Sequence, residues 1–157
     1  MEPPSQGRPA NVHRLGPGSC CLVGWQDDPD LALIVAWDDR RGALLLNRRA
    51  DGGYLPLAPG LDAGAGLIEL RGAFLAPSGP TAGLASGGVA IAPAALHVGP
   101  GRAYLCGRDK GGDLTTFDVA SGLASAVNLA ALPHTERWRV MVPQGSGLVT
   151  LYEAGPA

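Results

Sequence analysis

The apolar residues of this chain come in short runs, and the brevity of those runs most constrains its fold. Segments such as LALIVAW (31–37) and WRVMV (138–142) end at stretches rich in Gly, Pro and Asp. Runs of this length are typical of strands, because a globular helix usually needs roughly ten residues or more of apolar periodicity. The 157-residue chain is therefore predicted to be all-β, with antiparallel hairpins that form a sandwich, a barrel or a small propeller-like repeat.

Glycine-bearing connections predict where the hairpins turn. Gly adopts the left-handed backbone that tight turns require, so Asp-Gly and Gly-Gly between apolar runs favour a hairpin. Three pairs of runs carry this signal: ALLLN (43–47) and YLPL (54–57) around ADGG, AYLC (103–106) and LTTF (114–117) around GRDKGGD, and WRVMV (138–142) and LVTLY (148–152) around PQGSG.

The spacing of the runs suggests a repeat of about 35 residues. One series of strands is expected to start near Leu33, Leu67, Ala103 and Trp138, and a second near Cys20, Tyr54, Val89 and Leu123. In such a repeat the N-terminal strand would complete the last unit and close a ring. The stretch 101–129 also resembles one blade of a β-propeller. The alternative is an ordinary sandwich or barrel, whose hairpins also recur at even intervals.

Composition predicts where the folded domain begins and whether the Ala-rich stretch is a helix. Residues 1–18 are rich in Pro and Gly and predict an extended or disordered N-terminal arm. Residues 19–157 are then a single all-β domain. The Ala-rich stretch 119–132 contains Gly122 and precedes Pro133, which favours a turn and strand over a short helix.

Charge and cysteine content limit the binding partners and the disulfide bonds that the sequence predicts. The chain has 12 basic and 14 acidic residues and a net charge of −2, which gives no electrostatic reason to expect nucleic acid or an anionic membrane. Three cysteines, Cys20, Cys21 and Cys106, do not predict a disulfide framework. Without a signal peptide or an apolar run long enough to span a membrane, we expect a cytoplasmic protein, or one incorporated into a particle after cytoplasmic synthesis.

No pattern in the sequence predicts a cofactor, a metal or a catalytic centre. Asp27, Asp28 and Asp30 lack the order of a calcium loop and favour a turn, as do Asp109 and Asp113. The three histidines have no metal-ligand spacing; they are His13, His97 and His134. Cys106 could form a dyad with His97 or His134 only if the fold brought them together. We therefore expect a non-enzymatic protein.

An interaction role is the remaining hypothesis. We expect a structural or interaction subunit of a larger assembly, such as a virion or an appendage, that associates with other protein subunits as a homo-oligomer. Aromatic and Arg side chains dominate interface energetics, so the candidate interface residues are Trp37, Arg40, Arg41 and Trp138. The alternative is a carbohydrate- or peptide-binding β module in which Trp37 or Trp138 stacks on the ligand, although three tryptophans in an aromatic-poor chain also suit a core.

Overall fold

The apolar runs form strands in the computed structural model, which describes residues 7–10, 15–24, 28–49, 51–59, 67–78 and 94–155. Within these ranges the regular structure is β, apart from two single turns of 3₁₀-helix at Asp51–Gly53 and Leu129–Ala131. The all-β prediction is confirmed. The strands in chain order are β1 (Gly7–Ala10), β2 (Cys20–Val23), β3 (Asp30–Trp37), β4 (Arg40–Leu45), β5 (Leu55–Pro59), β6 (Leu67–Leu70), β7 (Phe74–Pro77), β8 (Leu96–Gly99), β9 (Arg102–Arg108), β10 (Leu114–Asp118), β11 (His134–Thr135), β12 (Trp138–Gln144) and β13 (Gly147–Ala154).

The predicted hairpins are present as antiparallel pairs. β4 pairs with β5, β9 with β10, and β12 with β13. The turn between β3 and β4 is tight, because Trp37 pairs directly with Arg40. Only Asp38 and Asp39 form the turn, with Asp38 at a left-handed φ of 49°.

Ten strands form a large sheet in the order β1-β6-β2-β3-β4-β5-β9-β8-β11, with β10 beside β9. All its pairings are antiparallel except β5 with β9, where Leu55 lies opposite Gly107 in a parallel register. The large sheet therefore joins a meander, β2 to β5, to the later hairpin through one short parallel contact.

The large sheet curls so that some of its strands form a closed ring of hydrogen-bonded neighbours. After β10, the segment 122–125 bonds to both β3 and β10: the Ala36 N–H donates to Gly122 O at 2.9 Å, and the Ser125 N–H donates to Thr116 O at 2.9 Å. Neighbours thus run from β3 through β4, β5, β9 and β10 back to β3. This half of the molecule is barrel-like, in agreement with the predicted barrel or sandwich.

The remaining three strands form a small sheet in the order β13-β12-β7. Alternation along β12 places Trp138, Val140 and Val142 inward, where all three are fully buried. They pack in the main core with residues of the large sheet such as Leu33 and Phe117. The small sheet therefore covers the open side of the curled sheet.

Among the described residues, the strand spacing does not correspond to a structural repeat; the strand expected near Val89 lies outside them. β3, β6, β9 and β12 start near the expected positions, but β3 pairs with β2 and β4, whereas β6 pairs with β1 and β2. β2 therefore does not complete a last unit with β12 and β13. Turn spacing sets strand length, whereas side-chain faces and register select the partner, so an even spacing alone does not define equivalent units.

The stretch 119–132 differs from its expected local structure, and the described part of the N-terminal arm contacts the domain. In the stretch 119–132, residues 123 and 124 make isolated bridges rather than a strand. In the N-terminal arm, β1 pairs with β6, and Leu15 is buried with Ile34 in a second apolar cluster. The described part of the arm thus folds onto the domain itself.

Candidate association surface

Sheet edges are the first feature to consider in an all-β protein, because an edge strand presents unpaired N–H and C=O groups to other chains. Four described strands stand at the ends of the two strand orders, and three of them are short or contain proline. β10 also has one strand partner, but its other side bonds to residues 123–125. β11 has two residues, β1 has four with Pro9 among them, and β7 has four and ends at Pro77. Each is a poor template for another strand, since proline cannot donate to a ladder.

β13 is the exception among these four edges. It is eight residues long, GLVTLYEA, with no proline and with Glu153 as its single charged residue. Its outer edge pairs with no described strand. Leu148 and Val149 are 55% and 39% exposed, which is high for large apolar side chains. Length, β propensity and low charge together make this edge suited to strand addition.

The sheet face next to this edge is also apolar. Phe74 of β7 lies opposite Met141, which lies opposite Thr150 of β13, and Pro143 lies opposite Leu148. These five residues alternate with the buried ones and form one end of the outer face of the small sheet, whereas Arg139 and Glu153 lie on the same face toward its other end. Phe74 is 42% exposed. The edge and the outer face together are the candidate association surface.

A β-bulge divides β13. Val140 pairs with Tyr152 but the next residue, Met141, pairs with Thr150, so Leu151 is the extra residue. Leu151 and Tyr152 both pack against the main core, and the Tyr152 ring meets Trp138 edge to face at 6.0 Å. The strand therefore has two consecutive inward side chains at its middle.

The two candidate interface tryptophans lie inside the protein. Trp138 is fully buried, and its indole Nε1 donates to Ala94 O at 2.8 Å. Trp37 is 8% exposed and meets Phe117 edge to face at 6.0 Å. Both positions agree with the core interpretation of the tryptophans. The third, Trp25, lies outside the described residues.

The two candidate interface arginines lie on the surface, in strand β4 rather than in a loop. Arg40 is exposed, and Arg41 is exposed with its guanidinium donating to the carbonyl of Leu15. Arg41 therefore holds the segment before β2 against the sheet. This contact ties Arg41 to the fold and leaves Arg40 as the more accessible of the two.

The described aspartates of the two acidic segments make structural contacts. Arg48 pairs with Asp30 at 2.6 Å and with Asp28 at 3.0 Å, and these two carboxylates raise the pKa of Arg48 above its usual value. Asp109 Oδ1 accepts the Asp113 N–H at 3.0 Å. These contacts support the turn interpretation of both acidic segments; Asp27 lies outside the described residues.

The fold brings together two histidines that sequence spacing did not connect. His97 on β8 lies opposite His134 on β11, with ring centroids 5.3 Å apart, and on its other side lies opposite Tyr104. His97 is 1% exposed. His134, His97 and Tyr104 lie side by side because strands that are distant in sequence pair with each other. The spacing of residues within one segment does not reveal such pairing. In the described ranges no group of three or more His, Cys, Asp or Glu is arranged to hold a metal; His13 lies outside them.

The thiols are buried and reduced. Cys20, Cys21 and Cys106 are free cysteines with exposures of 2% or less. Burial raises the pKa of Cys20 and of Cys21 from 9.0 to about 12. Burial also raises the pKa of Cys106, against opposing contributions from Thr116 and Arg108. Because the thiolate is the nucleophile, these environments disfavour thiol reactivity.

Comparison with known proteins found no match to this chain among protein-family models, curated proteins or solved structures. In the described part of the chain, no helix has the length and apolar character needed to cross a bilayer.

Proposed function

We propose that this protein is an interaction subunit that assembles with copies of itself, and that the β13 edge is its association surface. The observation that carries the proposal is the contrast between edges. β1, β7 and β11 are short or contain proline, whereas β13 offers eight residues with Leu148 and Val149 exposed. Natural proteins normally protect such an edge with charge, proline or a covering segment.

Strand addition would supply both affinity and specificity at this surface. Main-chain hydrogen bonds along the edge provide affinity, and side chains on alternating faces provide specificity. Exposed Phe74 and Leu148 and half-buried Met141 add apolar area on the adjoining outer face. The assembly that this edge supports contains at least two copies of the chain.

A peptide-binding module is the second candidate, and the same edge favours it. An extended peptide adds to a sheet edge by the same hydrogen bonds as a second copy would. The two candidates differ in one measurable property, because only self-association makes the native mass of the pure protein depend on its concentration.

The test is native mass by size-exclusion chromatography with light scattering over a range of protein concentrations. We expect an oligomer that dissociates on dilution. Val149→Lys should raise the dissociation constant at least tenfold, because pairing would bury the added charge beside the edge; a tenfold change corresponds to about 1.4 kcal/mol.

Leu114→Lys is the matched control. Leu114 is 41% exposed on β10, and Val149 is 39% exposed on β13, so the two changes add the same charge at sites of similar exposure. The control should keep the wild-type mass. A wild-type protein that stays monomeric at its highest soluble concentration refutes the proposal, as does equal weakening by both changes.

A further inference from the structure

Resting on the proposed self-association, we infer that β13 pairs antiparallel with β13 of a second copy about a two-fold axis between Leu151 and Tyr152. In this register Leu151 lies opposite Tyr152 of the second copy, and Thr150 lies opposite Glu153. Val149 then lies opposite Ala154. The partner is a second copy of this chain, and its orientation follows from the side-chain faces of β13.

The faces along β13 form a symmetric pattern about that point. Residues opposite each other on antiparallel strands project to the same face. By their partners on β12, Leu148, Thr150 and Glu153 project outward. The inward residues are Val149, opposite buried Val142, Tyr152, opposite buried Val140, and Ala154, opposite buried Trp138. Leu151 packs inward beside Tyr152.

The bulge selects this register. With the axis between Leu151 and Tyr152, inward residues meet inward ones and outward residues meet outward ones from Val149 to Ala154. An axis through Thr150 instead places outward Leu148 opposite inward Tyr152. An axis through Val149 also matches the faces of Leu148 and Thr150, but it pairs only residues 147–151 and leaves Tyr152, Glu153 and Ala154 without partners. The bulge thus makes the longer stretch from Val149 to Ala154 self-complementary about the axis that places the two bulges opposite each other.

Charge favours the antiparallel arrangement over a parallel one. Glu153 is the one charged residue of β13, and its carboxylate accepts a hydrogen bond from Ser78 Oγ at 2.7 Å. Antiparallel pairing places Glu153 opposite the neutral Thr150 of the second copy. Parallel pairing in register would place the two Glu153 carboxylates opposite each other, which is unfavourable.

The arrangement closes at two copies. Joining the small sheets gives six strands in the order β7-β12-β13-β13-β12-β7, and the long edge of each copy is used. The free edges of the combined sheet are then the two β7 strands, each ending at Pro77. A two-fold contact that leaves only blunted edges yields a dimer rather than a fibre.

Disulfide trapping tests the register directly. Thr150→Cys/Glu153→Cys should form a covalent dimer under mild oxidation, since directly opposed residues are within disulfide reach. Each single variant should stay uncrosslinked, because Thr150 and its own copy lie three residues apart along the strands, roughly 10 Å. A mixture of the two single variants should crosslink. The native thiols are buried and should not interfere.

Charge variants at Thr150 give a second readout that leaves Glu153 and its bond to Ser78 intact. In Thr150→Arg, the new arginine of each copy would lie opposite Glu153 of the other copy, so the dimer would contain two favourable charge pairs. In Thr150→Glu, the same two positions would hold like charges. We expect the dissociation constant of Thr150→Glu to exceed that of Thr150→Arg by about tenfold at low salt.

The outcomes separate the two proposals. Crosslinking of either single variant, or a dimer in which the charge variants behave alike, overturns the register and leaves self-association standing. A native mass that shows only monomer for the unaltered protein overturns the proposed function itself.

Discussion

At the scale of single residues, Gly122 has the most demanding position in the fold. Its backbone is left-handed, with φ at 69°. A Cβ at this position would lie 2.2 Å from the Gly18 nitrogen and 2.4 Å from the Ile34 oxygen. Both neighbours are backbone atoms and cannot rotate away. Gly122 therefore permits the close approach by which segment 122–125 closes the barrel-like half of the molecule.

We predict that Gly122→Ala lowers the free energy of unfolding by about 2–4 kcal/mol, because it adds a backbone clash to the cost of a left-handed alanine. Urea unfolding measures this change. Gly101→Ala is the control: Gly101 has a similar φ of 66° but no atom within 4 Å of the added Cβ. It should cost only about 1 kcal/mol. Equal losses in the two variants would show that the close approach at Gly122 is not maintained in solution.

At the scale of elements, the turn after β10 directs the chain back to β3 and so closes the ring of strands in the barrel-like half. Asp118 ends β10 and is 6% exposed. Its Oδ1 accepts the N–H groups of Ala120 at 2.9 Å and Ser121 at 3.3 Å, and its Oδ2 accepts from Arg102 at 3.3 Å. One carboxylate therefore satisfies two turn donors that lead the chain back to β3.

Asp118→Ala should lower the free energy of unfolding by about 1–3 kcal/mol, since it removes the acceptor of two turn N–H groups. The Arg102 side chain is 68% exposed, so Arg102→Ala should change stability by less than about 1 kcal/mol. Thermal or urea unfolding of the two variants compares the turn bonds with the ion pair. A larger loss in Arg102→Ala than in Asp118→Ala would contradict this division.

The same scale shows which elements the sequence predicts. Hairpins such as β9–β10 and β12–β13 were predictable because their turns, strands and alternation all lie within about 20 residues of sequence. The stretch 119–132 was not, because its hydrogen bonds go to β3 and β10 and only two residues are bridged. Non-local pairing of this kind leaves no periodic pattern.

The association surface was partly visible in the sequence. LVTLY was predicted as a strand, but its position at a sheet edge depends on which strands pair with β12. The sequence therefore directed attention to Trp138, which is buried, rather than to Leu148 and Val149 on the neighbouring strand. The same apolar residue types occur in the core and on a sheet edge, so the sequence does not distinguish the two positions; the strand topology does.

At the scale of the whole molecule, β2 links two apolar layers. Cys20 lies in the main core, and the next residue, Cys21, lies in the second cluster with Leu15 and Ile34, as the alternating faces of a strand require. Because both thiols are shielded by separate layers, we expect that they become exposed to solvent only when the large sheet unfolds. Their ionisation is then linked to global stability.

The sign of this linkage follows from the raised pKa values. Burial raises the pKa of Cys20 and Cys21 from 9.0 to about 12, so above pH 9 the folded state holds protons that the unfolded state releases. Their contribution to stability is complete below pH 9 and declines as the pH rises toward 12, by up to about 1.4 kcal/mol per pH unit for each thiol. Urea midpoints measured from pH 8 to pH 11 should fall accordingly, whereas Cys20→Ala/Cys21→Ala should flatten the decline. The difference between the two slopes reports the thiols, and identical slopes would show that β2 does not keep them from water.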